Sequence, residues 1–438
     1  MTVAPTVTYP ASPSSKLPNV ARPSLLALTS TFPKGVDDST PPFVLQLSNH
    51  LLPYFDVTVL TPAVRNAPRR ETLRGVNVQR FHYLWPRSLE RLADGAILEN
   101  LGRSRWLYLQ VPFLILFELI AALRLARAKR PAVIHAHWFI PQGIVAVIVG
   151  QVLKIPVVIT AHGADVYGLR GRLWHALRTA LASRCEAVTV VSQDMARKLP
   201  GVKSRKGEPP QVMPMGIDSQ RFAAGPETSG DSHQAVLFVG RLAKKKGVEY
   251  LIRAFPDVRA RHPDARLVLV GDGPCRAELE AMTRQLGQAD RVHFAGAQPP
   301  AELPRFYRSS HLFVGPSVVA RSGDTESFGL VFAEAMAAGC PVVGSTVGGI
   351  PGLVVHGRTG LLVEPESPTA LAAAINQVLD SPAEAERMAA LARRWVRRKF
   401  DWRQVAQRYA DKLTQAARGG ERLAAVSDAG GSNSSVNA

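Results

Sequence analysis

His311–Ser345, HLFVGPSVVARSGDTESFGLVFAEAMAAGCPVVGS, decides how the rest of the chain is read. The apolar run His311 to Gly315 predicts a buried strand. A polar loop, a helix from about Phe328 to Ala338 and a second strand from Pro341 to Gly344 follow. Gly339 ends the helix and Pro341 forbids its continuation. In such a strand-loop-helix unit the backbone N–H groups of Phe328, Gly329 and Leu330 point out of the helix start, where the macrodipole favours an anion. Gly329 has no side chain to hold a ligand's oxygens away. The pattern predicts a phosphate seat, with Ser327 beside it and the carboxylates of Glu326 and Glu334 on its flanks.

Carboxylates repel phosphate but accept hydrogen bonds from sugar hydroxyls. Two isolated glutamates would ordinarily be a solvated loop charge and a surface helix residue. Glu334, however, stands in an otherwise apolar helix, LVFAEAMAA, between two apolar strands. A lone carboxylate buried there is costly without partners. A site that joins a diphosphate to hydroxyl-rich rings suits a nucleotide sugar.

The stretch ESFGLVFAEAMAAGCPVV resembles the E-x7-E signature of retaining glycosyltransferases of family four, and the resemblance extends over roughly residues 24–413. It implies an α/β chain of GT-B fold: two doubly wound Rossmann-like domains, an interdomain cleft, and a C-terminal helix crossing back to the first domain. It also implies that Glu326 lies beside the donor sugar and that Glu334 holds the nucleotide ribose. Ser327, Phe328, Gly329 and Leu330 would line the donor seat.

Composition agrees with two globular domains. The chain has 438 residues, enough for two cores, and an apolar content of 46%. Cys185, Cys275 and Cys340 are few, odd in number and set in apolar segments, which predicts a reducing cytoplasm rather than a disulfide framework. Met1 to Asn19 is rich in Pro, Ser and Thr and lacks the apolar core of a secretory signal. A net charge of +18 favours polyanionic partners. The basic residues are dispersed and accompany no recognition helix, zinc finger or stacking motif, so nucleotide sugar and anionic lipid rank above nucleic acid.

Read in order, residues 1–22 are expected to be a flexible tail and 23–221 an acceptor-binding domain. Residues 222–234 are the expected linker, 235–398 the nucleotide-sugar domain, 399–417 the returning helix and 418–438 a disordered tail. Ser24 to Leu28, a loop with Gly and Pro, the helix Phe43 to Leu52 and the strand Asp56 to Leu60 open a doubly wound sheet. The family resemblance places Lys34 and Gly35 of that loop against donor and acceptor, although the family's paired glycines are missing. The apolar run Trp106 to Leu123 holds no charge before Glu118, too short a stretch for a spanning helix of roughly 20 residues. It reads as a core helix or as one lying in a membrane interface.

His135 and His137 are expected to alternate across a strand and diverge, which argues against chelation; no metal is predicted. His162, Gly163 and Asp165 follow the strand Pro156 to Thr160, at the carboxyl end where open parallel sheets bind ligands. HAHW, PQG and TAHGADV resemble the family's acceptor-domain pattern, in which the histidine of the HG pair approaches the donor's sugar and phosphate. The same resemblance offers His137 and Gly163 as loop contacts and Asp165 as a contact to the acceptor hydroxyl.

In the second domain Arg241 and Lys246 follow the strand AVLFVG. Arginine forks two phosphate oxygens and lysine supplies a point charge. The R-x4-KG spacing matches the family's diphosphate pair, while Lys244 and Lys245 read as solvated.

The expected function is retaining, metal-independent hexosyl transfer from a nucleotide diphosphate sugar, without another cofactor. The acceptor would be a saccharide or lipid-linked intermediate of bacterial surface polysaccharide, met on the inner face of the cytoplasmic membrane. Two rivals stay open: an epimerase or phosphorylase on the same fold, and a membrane-associated scaffold with a vestigial site.

Overall fold

The computed structural model of the chain describes residues 22–35, 42–95, 97–223 and 234–431. Near-continuous runs of Val, Ile, Leu and Ala make strands buried on both faces, as parallel sheets covered by helices require. β1 (Ser24–Leu28), β2 (Asp56–Pro62), β3 (Arg70–Leu73), β4 (Val76–Phe81), β5 (Val133–His137), β6 (Val157–Ala161), β7 (Ala187–Val190) and β8 (Gln211–Val212) form the first sheet. Its order is β3-β4-β2-β1-β5-β6-β7-β8, parallel except where β3 meets β4. β9 (Ala235–Val239), β10 (Arg266–Val270), β11 (Val292–Gly296), β12 (Leu312–Gly315), β13 (Val342–Ser345) and β14 (Leu361–Val363) form the second. Its order is β11-β10-β9-β12-β13-β14, with every pairing parallel.

Each sheet therefore reverses its winding beside its first strand, β1 in one and β9 in the other. Such switch points leave a crevice outside the carboxyl ends of the strands, where ligands bind. The loops after β1, β5 and β6 gather at the first crevice, and those after β9 and β12 at the second.

The chain returns from the second sheet to the first through the helix Trp402–Gly431. Ile217 and Asp401 form a bridge, and the Trp402 N–H donates to Ile217 O at 3.0 Å. The Tyr409 hydroxyl donates to Met213 O at 2.8 Å and the Trp402 indole to Gln46 Oε1 at 3.2 Å. Trp402 and Tyr409 are fully buried, so this joint is cored like a domain interior. The helix runs beyond residue 417, where the sequence pattern placed its end, so residues 418–431 of the expected disordered tail are helical; residues 432–438 of that tail lie outside the described residues. So do residues 1–21 of the first tail and 224–233 of the expected linker.

One segment departs from the core-helix expectation. The run around Trp106 is a short 3-10 turn, Arg105–Gln110, leading into the helix Val111–Lys129. That helix buries only Leu114, Glu118, Ala122, Leu125 and Ala126. Its buried stripe packs toward the helix Ile144–Leu153, and Gln142 Nε2 donates to Glu118 Oε2 at 3.3 Å. Burial pushes the Glu118 carboxyl up to about 8, against the lowering effect of the Gln142 bond. Glu118 Oε1 and Gln142 Oε1 are both buried without a partner. A neutral acid resolves the mismatch, because a proton on Glu118 lets acid and carboxamide exchange two hydrogen bonds.

Candidate active site

The second-domain half of the site is built from the loops that follow β9 and β12. After β9, Lys244–Lys246 forms a single 3-10 turn. The Val318 N–H donates to Lys245 O at 2.9 Å, which ties this turn to the loop after β12. Lys246 Nζ is thereby brought within 2.5 Å of Glu326 Oε2, and both side chains are largely shielded. Burial acts to raise the Glu326 carboxyl, but the Lys246 ammonium, with Lys245 and the Gly329 N–H, holds it below the usual carboxylate range. Lys245 pairs with Asp324 at 2.9 Å and Lys244 with Glu278 at 2.7 Å, so both are engaged rather than merely solvated.

The helix begins later than the sequence pattern suggested, at Leu330, with Gly329 as its N-cap in the left-handed region at φ 91°. Phe328 is thus outside the helix, and its ring packs on Phe400 with centroids 5.4 Å apart. The anion-attracting N–H of Gly329 faces the Glu326 carboxylate. In this arrangement a protein carboxylate rests among the lysine and helix-start groups that suit a phosphate. Glu334 lies one helix turn deeper and accepts a hydrogen bond from the Tyr307 hydroxyl at 2.9 Å. Burial raises its carboxyl to about 7, opposed by the Tyr307 bond and the charges of Arg221 and Lys246. Arg241 is exposed at the mouth of the crevice.

The first-domain half is a histidine cluster at the ends of β5 and β6. β5 reaches His137, so His135 and His137, two residues apart on one strand, share a face. The expectation that they diverge is corrected: their ring centroids stand 4.2 Å apart. His137 Nδ1 meets His162 Nε2 at 2.9 Å, and His135 Nε2 meets Thr160 Oγ1 at 2.7 Å. Phe43 and Trp138 each lie 4.9 Å from the His162 ring and fix its plane. Burial pushes all three histidines down, His135 and His162 to about 3, and neighbouring imidazoles add to the effect at His137 and His162. The cluster is neutral at physiological pH, so each imidazole has one donor and one acceptor nitrogen.

Asp165, anticipated as an acceptor contact, has another task in this structure. It is 2% exposed and its oxygens accept the N–H groups of Phe139 at 2.9 Å, Gly163 at 3.1 Å and His162 at 3.3 Å. Its carboxylate pins the loop after β6 to the loop after β5, and the Arg178 guanidinium donates to its backbone carbonyl at 2.8 Å. Lys34 pairs with Asp94 at 3.1 Å, and Gly35 beside it has open space around its Cα.

The two halves meet at Gly163. A Cβ there would lie 1.8 Å from Ser327 Oγ, and the backbone sits at φ 124°. The histidine loop of the first domain therefore abuts the Glu326–Gly329 loop of the second, and Arg170 Nη2 reaches Gly323 O at 3.2 Å nearby. We expect Gly163→Ala to lower kcat/KM on the order of a hundredfold, since a displacement of about 1 Å at a reacting centre costs that much. Steady-state kinetics with a melting curve separates this from unfolding; unchanged kinetics would show the contact to be dispensable.

Tyr307 and Glu118 were not legible as site or support residues, and Gln142 only as the middle residue of PQG. Only the neighbouring apolar pattern hinted at them, because their partners lie far away in sequence.

Two doubly wound domains that meet at a crevice between a lysine–glutamate loop and a histidine loop are the GT-B fold. The chain belongs to glycosyltransferase family four of the group 1 type: residues 43–221 match the model "Glycosyltransferase Family 4" and residues 221–395 the model "Glycosyl transferases group 1". A glycogen synthase of Mycobacterium tuberculosis is 33% identical over 303 residues, 67% of this chain and 71% of that protein. A GDP-mannose-dependent alpha-(1-6)-phosphatidylinositol monomannoside mannosyltransferase of Mycolicibacterium smegmatis is 34% identical over 46% of this chain and 55% of that one. Among solved structures, Anabaena HepE in complex with UDP and glucose superposes with a TM-score of 0.67, at 22% identity, over 90% of this chain and 100% of that one.

Proposed function

We propose that this glycosyltransferase moves a hexose from a nucleotide diphosphate sugar to the hydroxyl of a lipid-linked saccharide, with retention of anomeric configuration and without a metal. The observation that carries the reading is the Lys246–Glu326–Gly329 cluster facing the His162 loop across Gly163 and Ser327. On donor binding, Lys246 and the Gly329 N–H pass from the Glu326 carboxylate to the diphosphate, joined by Arg241. Glu326 is then released to accept hydrogen bonds from sugar hydroxyls, and Glu334 with Tyr307 to hold the ribose.

In the transfer, the bond between the anomeric carbon and the diphosphate oxygen breaks. The acceptor oxygen forms its bond on the same face, and its proton passes to the departing diphosphate. Lys246, Arg241 and the Gly329 N–H stabilise the charge that develops on the leaving group. His162, neutral and oriented by His137, offers a hydrogen bond to a sugar hydroxyl or phosphate oxygen. The acceptor class is supported by the mycobacterial relative named for a phosphatidylinositol mannoside. The apolar helix of the first domain also supports it, and together with the basic charge supports a seat on the inner face of the cytoplasmic membrane.

A thermal-shift screen of the purified protein against UDP, GDP, ADP and their sugars tests the donor site. Stabilisation by one nucleotide family that Glu334→Ala removes is expected; no shift from any of them would remove the reading. Proton NMR of the first-formed product, read before mutarotation, decides between retention and inversion.

A further inference from the structure

The segment from Trp85 to Phe117 turns apolar side chains outward. Trp85 is 82% exposed, Trp106 78%, Leu109 62%, Phe113 46%, Leu116 49% and Phe117 40%. A helix apolar on all sides normally has all sides covered. Here Arg105–Lys129 is long and apolar enough to cross a membrane by length and composition, yet only 17% of its most apolar window is buried.

The surface is built rather than frayed. Gln110 Nε2 donates to Leu89 O at 2.8 Å and Gln110 Oε1 accepts from the Leu92 N–H at 3.3 Å, clamping the Trp85–Leu89 stretch to the helix start. Asn100 Nδ2 donates to Leu92 O and Asp94 O, each at 3.1 Å. Spanning is disfavoured by the buried stripe, which packs against the first domain through Glu118 and Gln142.

Among the described side chains the rim is mainly basic: Arg87, Arg91 and Arg105 are exposed beside the aromatic groups. Of the described acids in the same stretch, Glu90 binds His82 at 2.8 Å and the Tyr83 N–H at 2.6 Å, and Asp94 pairs with Lys34. Tryptophans and apolar side chains ringed by arginines match a bilayer interface, where rings sit at the headgroup level and guanidinium groups meet lipid phosphates. The patch adjoins the cleft, because Asp94 holds Lys34 of the loop after β1 and Leu98 packs against Gly168 of the loop after β6.

We infer that this face seats the enzyme on an anionic bilayer, with Trp85, Trp106, Leu109 and Phe113 entering the boundary between headgroups and acyl chains. The inference rests on the proposed lipid-borne acceptor for its purpose, and its test is independent of donor chemistry. The full chain is mixed with phosphatidylcholine vesicles and with vesicles containing equal phosphatidylglycerol, then sedimented. Binding to the anionic vesicles, weakened by salt, is expected. Trp106→Ser combined with Phe113→Ser and Phe117→Ser should lower partitioning on the order of a hundredfold. Arg91→Glu with Arg105→Glu should abolish the preference for phosphatidylglycerol.

Nucleotide-induced thermal shift and circular dichroism on the same preparations are expected to be unchanged, which separates failure of this face from failure of the donor-site reading. Folded wild-type protein that stays in the supernatant overturns the inference. So does a concentration-dependent dimer, seen by sedimentation velocity and lost in the triple variant, since a second copy would then be what covers the patch.

Discussion

Lys246→Ala is expected to lower kcat/KM for donor turnover by about a thousandfold, near 4 kcal/mol of transition-state stabilisation, because in the proposed transfer the lysine meets the charge that grows on the leaving diphosphate. The protein should remain folded, since Glu326 keeps the Gly329 N–H and the field of Lys245. Nucleotide-induced stabilisation should vanish with the activity. Lys246→Met should behave alike, because the loss is of charge and not of packing. Glu326→Gln should spare nucleotide binding while lowering turnover, and the double variant should be far from additive, as expected of residues in direct contact. Activity within tenfold of wild type in Lys246→Ala would show that the diphosphate sits elsewhere.

The second large effect concerns stability against pH. The three clustered histidines have folded values depressed from about 6.5 by burial. The stability they contribute is present above pH 6.5 and is lost as pH falls, because the unfolded chain takes up protons that the folded cluster refuses. The loss is about 1.4 kcal/mol per pH unit for each histidine. Glu118 and Glu334 work in the opposite sense, with folded values raised to about 8 and about 7. Their contribution is present below the unfolded value of about 4.5 and is lost as pH rises through those folded values.

The sum is a dome with its top near pH 6.5. On the alkaline side the protein should lose about 2–3 kcal/mol by pH 9. Between pH 6.5 and 4.5 the two glutamates offset two of the three histidines, leaving about 1.4 kcal/mol lost per pH unit. Glu118→Gln keeps the amide-type pairing with Gln142 and removes its titration. Its alkaline loss should shrink and its acid loss roughly double, to about 3 kcal/mol per pH unit. Urea unfolding of both proteins from pH 5 to 9 measures this; parallel profiles would show that Glu118 is ionised in the fold.

How much could be read in advance follows from how far each signal reaches along the chain. The strands at 24, 56, 157 and 235 and the helix at 43 were legible because apolar runs and glycine or proline stops are local. The grouping of Glu326, Gly329 and Glu334 was legible because they belong to one strand-loop-helix unit. Its geometry was not: Gly329, read as a helix residue, is a left-handed cap, and its N–H faces Glu326. The histidines were misjudged by an error of period, since residues two apart on a strand share a face.

Two doubly wound sheets and the family could be read from the chain alone, since both rest on patterns within a few tens of residues. The tertiary structure alone decided that Lys246 neutralises Glu326, that Tyr307 caps Glu334, that Asp165 pins two loops and that Gly163 meets Ser327. It also left the helix after Trp106 largely uncovered. Those pairings join residues 26 to 164 positions apart, and only packing against the rest of the chain fixes which distant groups become neighbours and which apolar faces are left without one.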